Sequence, residues 1–131
     1  MESYYYKIRQ SSWGIYIKID WDIFTFTEIQ EDYIRVDDGM FLDVSAVHIT
    51  TIQIDYLILG IKLIAKRILD KIDSNIPLVI KIINLEFNIA DYQHEGLACA
   101  IGEGLAIKFN IKMPDVSVTF DSSKNKYIFQ F

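Results

Sequence analysis

The sequence predicts an α+β domain, with helices on one face of a largely antiparallel sheet and a hairpin at the C-terminus. Three observations carry this. Apolar and polar residues alternate over short stretches at both ends of the chain, which is the period of half-buried strands. The period changes to that of a helix over Asp55–Asp73 and again over Gln93–Phe109. Between them Leu78–Ala90 is almost continuously apolar, as expected of a central strand. A chain of 131 residues makes one domain, long enough to bury a core without metal or disulfide support. Hydrophobic residues are 51% of it and prolines number only 2, a composition that folds.

The elements follow in order. Tyr4, Tyr6 and Ile8 alternate with Tyr5, Lys7 and Arg9, and Ser11, Ser12 and Gly14 mark a turn. Ile15, Ile17 and Ile19 then alternate with Tyr16, Lys18 and Asp20, and Phe24 and Phe26 with Thr25 and Thr27. Glu28–Asp32 reads as a connection, Tyr33–Val36 as a short strand and Asp37-Asp38-Gly39 as a turn. Val44–Ile54 is rich in β-branched residues and is read largely as strand. In the first helix Leu57, Ile61, Ile64, Ile68 and Ile72 form one stripe, widened by Ala65 and Leu69, opposite Lys62, Lys66, Asp70 and Asp73. Asp55 is its candidate cap, Ser74 and Asn75 close it, and Pro77 stops it. In the long strand Val79, Lys81, Ile83, Leu85, Phe87 and Ile89 share a face. The second helix has Asp91 as candidate cap and Leu97, Ile101, Leu105 and Phe109 at four-residue spacing. Its glycines, Gly96, Gly102 and Gly104, suggest close approach to the sheet, although Leu97, Cys99 and Ile101 also fit a strand. Val116–Phe120 and Tyr127–Phe131 make the terminal hairpin.

Charge is unevenly placed. From Asp20 to Asp55 nine carboxylates (Asp20, Asp22, Glu28, Glu31, Asp32, Asp37, Asp38, Asp43 and Asp55) face one base, Arg35. The whole chain carries only -5, so the remainder is slightly basic. Nucleic-acid binders normally present a basic surface to phosphates. The one basic cluster here, Lys62, Lys66, Arg67 and Lys71, reads as the solvated face of the first helix. The expectation is therefore no nucleic-acid partner. The N-terminus MESYYYKIRQ lacks the apolar core of a secretory signal. The uncharged stretch Val44–Ile54 is far short of the ~20 residues of a spanning helix. These point to a cytoplasmic chain without a membrane partner.

Candidate chemistry is sparse. Asp20 and Asp22 flank Trp21 and would share a strand face, but no Gly-spaced calcium loop follows, so they read as solvated acids. Cys99, His94 and Asp91 suggest a nucleophile, base and orienting acid. Residues five apart on a helix lie ~140° around its axis, which turns His94 away from Cys99. His48 reads as a packed or rim residue of an apolar strand. Gly102-Glu103-Gly104 lies inside a helix rather than at a helix start, where phosphate binds. With one cysteine and two histidines a zinc site is unsupported, and nothing singles out a carboxylate pair among 18 acids. The reading is a protein with no cofactor, no metal and no catalytic site.

Two resemblances extend it. Pro77, the strand LVIKIINLEF, then Asp91 and Glu95 opening the Ala-rich GLACAIGEGLAIKF, resemble the second half of domain four of elongation factor G. The strand GIYIKID and the helix GIKLIAKRIL stand in similar order. That resemblance implies a split β-α-β fold of the ribosomal-protein type and a module that contacts ribosome or RNA. In overall character (small, acidic, cysteine-poor, rich in Ile and aromatics) the chain also resembles bacterial immunity proteins, which neutralise toxins of contact-dependent and other interbacterial systems. This second resemblance implies an immunity or antitoxin protein that binds a basic toxin domain, often one acting on nucleic acid. The residues expected at that interface are Glu31, Asp32, Asp37, Asp38 and Asp43, with Trp21 and Tyr33 as aromatic anchors. Simple solubility is the competing account of the acids. A small enzyme with an unrecognised carboxylate site is a further alternative.

Overall fold

The computed structural model describes residues 1–26, 28, 30–72 and 75–131. The expectations placed on Thr27, Asp73 and Ser74 lie outside the described residues. The fold is α+β, with a five-stranded mixed sheet and a separate C-terminal hairpin.

Alternation sets the first two strands. β1 (Glu2–Arg9) and β2 (Gly14–Thr25) form an antiparallel hairpin that pairs Tyr6 with Ile17 and Ile8 with Ile15. Residues paired across a ladder share a face. Tyr6, Ile15, Ile17 and Ile19 therefore enter the core, while Tyr5, Lys7 and Lys18 face away from it. β3 (Ile34–Asp37) and β4 (Met40–Asp43) form a second hairpin, its turn closed by Gly39 at φ 76°.

Val44–Ile54 is not a strand. Thr50 accepts a hydrogen bond from the Gln53 N–H, and the Gln53 side chain accepts from Thr50 N–H in return. This capping box starts α1 (Thr51–Lys62), so Thr50 and not Asp55 caps the helix. The apolar stripe runs unbroken through Ile64, but the helix does not. α1 ends at Lys62 with Leu63 as its C-cap, and α2 (Ala65–Ile72) continues after a turn. Lys71 and Arg67 of α2 donate to the Asn110 and Lys112 carbonyls. The basic face thus serves partly as a tie to the following connection.

β5 (Leu78–Phe87) lies between β2 and β4. It pairs antiparallel with β2 and parallel with β4. A bulge corrects the expected single face of this strand. Trp21 pairs with Ile82 but Asp20 with Asn84, so Ile83 is an extra residue and the phase reverses there. Ile80 and Ile82 face the helices before the bulge, and Leu85 and Phe87 pair with the core residues Ile19 and Ile17 after it.

The β-α-β unit differs from the split arrangement that the first resemblance implies. Its strands, β4 and β5, are direct neighbours, with α1 and α2 as the crossover that a parallel pair requires. A short 3-10 turn, Ile89–Asp91, capped by Asn88, precedes α3 (Gly96–Phe109). Asp91 is therefore not the cap of α3. The helix packs on β1 and β2 and alongside α1. Close approach is built from small residues. A Cβ at Gly104 would stand 2.6 Å from the Trp21 ring, and one at Gly60 would overlap the Ala98 carbonyl oxygen.

β6 (Ser117–Asp121) and β7 (Lys126–Gln130) form the expected hairpin. Two glutamines dock it by acting as strand partners. Gln10 donates to the Val118 carbonyl and accepts from the Phe120 N–H, and Gln93 does the same with Tyr127. The buried Tyr127 hydroxyl donates to the Trp13 carbonyl (2.6 Å) and accepts from Gln10 N–H (2.8 Å).

Candidate partner-binding surface

The sheet face away from the helices carries most of the acidic stretch, and register decides where each acid goes. Thr25, Leu78 and Met40 stand level on β2, β5 and β4, so the end of β2 and the β3–β4 turn lie at one end of the sheet. To reach β3 from β2 the chain must cross β5 and β4. It does so over the outer face. Phe26 meets Tyr33 and Phe41 edge to face, with ring centroids 5.1 and 5.2 Å apart. Phe26 N–H donates to the Pro77 carbonyl. Phe41 and Val79 are buried on this outer face. The Phe26 and Tyr33 rings thus pack against the outer face, and the acids Glu28, Glu31 and Asp32 are left outside.

Glu28, Glu31 and Asp32 are exposed on this crossing. Asp38 is exposed in the adjoining turn, where it pairs with Arg35. Asp37 is half-buried and accepts from Asp38 N–H at 2.7 Å. Tyr33 is half-buried and supports the crossing from beneath. It shares a hollow of about 380 Å³ with Thr25, Phe26, Glu28, Gln30 and Ile76.

Two expected interface residues are elsewhere. Trp21 is 1% exposed, its ring against Gly104 of α3, and its indole N–H has no partner among the described residues. It belongs to the core and cannot anchor a partner in this conformation. Asp43 is 6% exposed and accepts from Ser45 N–H, closing the turn after β4. Register sets Lys81 between Asp43 and Asp22 on the flanking strands. Asp20 is likewise buried, accepting from Ser3 and lying 3.9 Å from Lys18, while Asp22 pairs with the N-terminal ammonium. Asp20 and Asp22 are on the expected face, but Asp20 is not a solvated acid.

The remaining candidates separate. His94 lies before α3 and hydrogen-bonds through Nδ1 to the Tyr92 hydroxyl, which also accepts from Gln53. Cys99 lies on α3, is buried, and hydrogen-bonds with Tyr6 of β1. His48 is exposed in the irregular segment between β4 and α1, not set in a strand. Among the described residues no group of three or more His, Cys, Asp or Glu is placed to hold a metal, and no helix is long and apolar enough to cross a membrane.

A polar cluster that the sequence reading passed over sits between β1 and α3. Tyr4 and Tyr6, two apart on β1, meet Cys99 and Glu103, four apart on α3. The Tyr4 hydroxyl donates to Glu103 Oε1 at 3.2 Å. Burial, with Glu103 nearby, pushes the Cys99 thiol up to about 12 and the Tyr4 phenol up to about 12. Burial pushes Tyr6 up as well, and it raises the Glu103 carboxyl against the opposing effect of Tyr4. The spacings i,i+2 on a strand and i,i+4 on a helix were the available signal. A cleft of about 450 Å³ opens beside the cluster, bounded by Tyr6, Lys7 and Ile8 of β1 and by Met113–Val116 of the α3–β6 connection.

The sequence matches no protein-family model and no curated protein.

Proposed function

We propose that this chain is an immunity or antitoxin protein that captures a basic toxin domain and blocks it through an acidic surface. The observation that carries the reading is the crossing over the outer face. The rings of Phe26 and Tyr33 meet at its two ends, and Glu28, Glu31 and Asp32 are exposed between them, with Asp38 in the adjoining turn. Several exposed carboxylates close together form a field of one sign, which speeds encounter with a basic partner and selects against acidic ones. The revised interface is Glu28, Glu31, Asp32, Asp37 and Asp38, with Tyr33 as support.

The partner to test is a toxin domain encoded immediately beside this chain's gene. Co-expression should rescue growth from that toxin. Reversing Glu31, Asp32 and Asp38 to Lys should slow association by roughly tenfold or more and flatten its salt dependence. Rescue and association kinetics untouched by the triple reversal would overturn the reading.

One observation favours a second reading, contact with RNA. Tyr5 is 57% exposed on the outer face of β1 with Lys7 and Lys18 over its ring at 5.3 and 5.7 Å, and Tyr16 is nearby. Aromatic rings flanked by bases can stack nucleobases. Binding of a single-stranded RNA oligomer at physiological salt, lost in Tyr5→Ala, would decide for it.

A further inference from the structure

We infer that the cleft between β1 and the α3–β6 connection is a recognition pocket for an arginine side chain of a protein partner, with Glu103 and Asp115 receiving the guanidinium. The cleft is about 450 Å³, within the usual size of binding pockets. Two carboxylates line it, and among the described residues neither has a cation within 4.0 Å. Among the described residues the one side-chain hydrogen bond to Glu103 comes from the neutral Tyr4 hydroxyl. The bases on either side are committed elsewhere. Lys7 at the rim holds its ammonium over Tyr5 on the outer face, and Lys108, further along α3, pairs with Glu2 at 2.7 Å.

A half-buried carboxylate without a counter-charge is costly, and a partner that supplies one recovers that cost on binding. A guanidinium suits the site better than an ammonium. It is planar, weakly hydrated and able to bridge two carboxylates, so it loses less on leaving water. Its aliphatic stem would lie along Ile8, Met113, Val116 and Val118, which line the same cleft. That the partner is a basic protein rests on the reading proposed above, but the selectivity of the cleft does not.

The test uses the ¹⁵N-labelled full chain and three probes: N-acetyl-arginine methylamide and its lysine and citrulline counterparts. The arginine probe should give saturable amide shifts at Cys99, Glu103, Met113 and Asp115. The citrulline probe, equal in shape but uncharged, should bind roughly tenfold or more weakly, and the lysine probe several-fold more weakly. Glu103→Gln keeps an acceptor for Tyr4 and should weaken the arginine probe about as much as citrulline does. Asp115→Asn, an exposed change that leaves the core untouched, should weaken it several-fold. Citrulline binding as tightly as arginine, lysine binding more tightly, or arginine binding unaffected by both variants would each overturn the assignment. Because the probes need only the isolated chain, a silent cleft leaves the acidic crossing untouched. Partner binding indifferent to charge reversal leaves a positive cleft result standing.

Discussion

Glu103 shows how one half-buried group couples the fold to pH. Burial raises its pKa above the ordinary 4.5, and the Tyr4 hydroxyl only partly opposes this. Between the unfolded and folded pKa values the native state therefore binds more protons than the unfolded chain. Stability falls as pH rises through that window and stays lower above it. Glu103→Gln removes the titration while keeping the Tyr4 hydrogen bond. The variant should melt above the parent at pH 7, and its advantage should vanish below the ordinary 4.5, as followed by circular dichroism. An advantage that grows on acidification would refute this assignment. Trp21 and Asp20 carry another lesson at this scale. Trp21 has the phase of Ile15, Ile17 and Ile19, so its burial was legible in the alternation, and its aromatic character drew the interface assignment instead. The burial of Asp20 was not legible, because it depends on Ser3 across the hairpin and on Lys18 two residues away.

Among the elements, the contact between α1 and α3 has the least room. A Cβ at Gly60 would overlap the Ala98 carbonyl, and one at Gly102 would stand 3.3 Å from the Gly60 carbonyl. Backbone atoms cannot rotate aside as a side chain can. Gly60→Ala should therefore cost about 1–3 kcal/mol despite its better helix propensity, measured by urea unfolding. A neutral or stabilising result would mean that the two helices part at little cost. The strands were legible wherever alternation was uninterrupted, as in β1, β2 and the terminal hairpin. Val44–Ile54 misled because its Val, Ile and Thr favour strands locally. The contrary signal was present in Thr50-Thr51-Ile52-Gln53, which has the spacing of a capping box. The break after α1 and the bulge at Ile83 left no such trace, since both come from how distant segments fit together. For the same reason the crossing was read as acidic and turn-like, but the rings beneath it were not foreseen.

On the scale of the whole molecule, the two sheets are joined by a few side chains rather than by a shared ladder. Gln10, Gln93 and the Tyr127 hydroxyl satisfy backbone groups across the junction, and Trp13 packs on Tyr127 and Phe120 there. Trp13 thus reports on the hairpin junction, while Trp21 reports on the main core. With Tyr127 fully buried, the hairpin should unfold together with the rest. Chemical denaturation of Trp13→Phe and Trp21→Phe, each followed by the fluorescence of the remaining tryptophan, should show its transition at the same denaturant concentration as that variant's far-UV dichroism. An earlier transition of Trp13 would show that the hairpin opens on its own. The outer-face crossing has a consequence for the history of such a molecule. Its anchoring rings and its exposed acids are different residues on one short segment. On the reading proposed above, the acids could be exchanged one at a time while Phe26 and Tyr33 keep their places, so that specificity drifts and the architecture stays where it is.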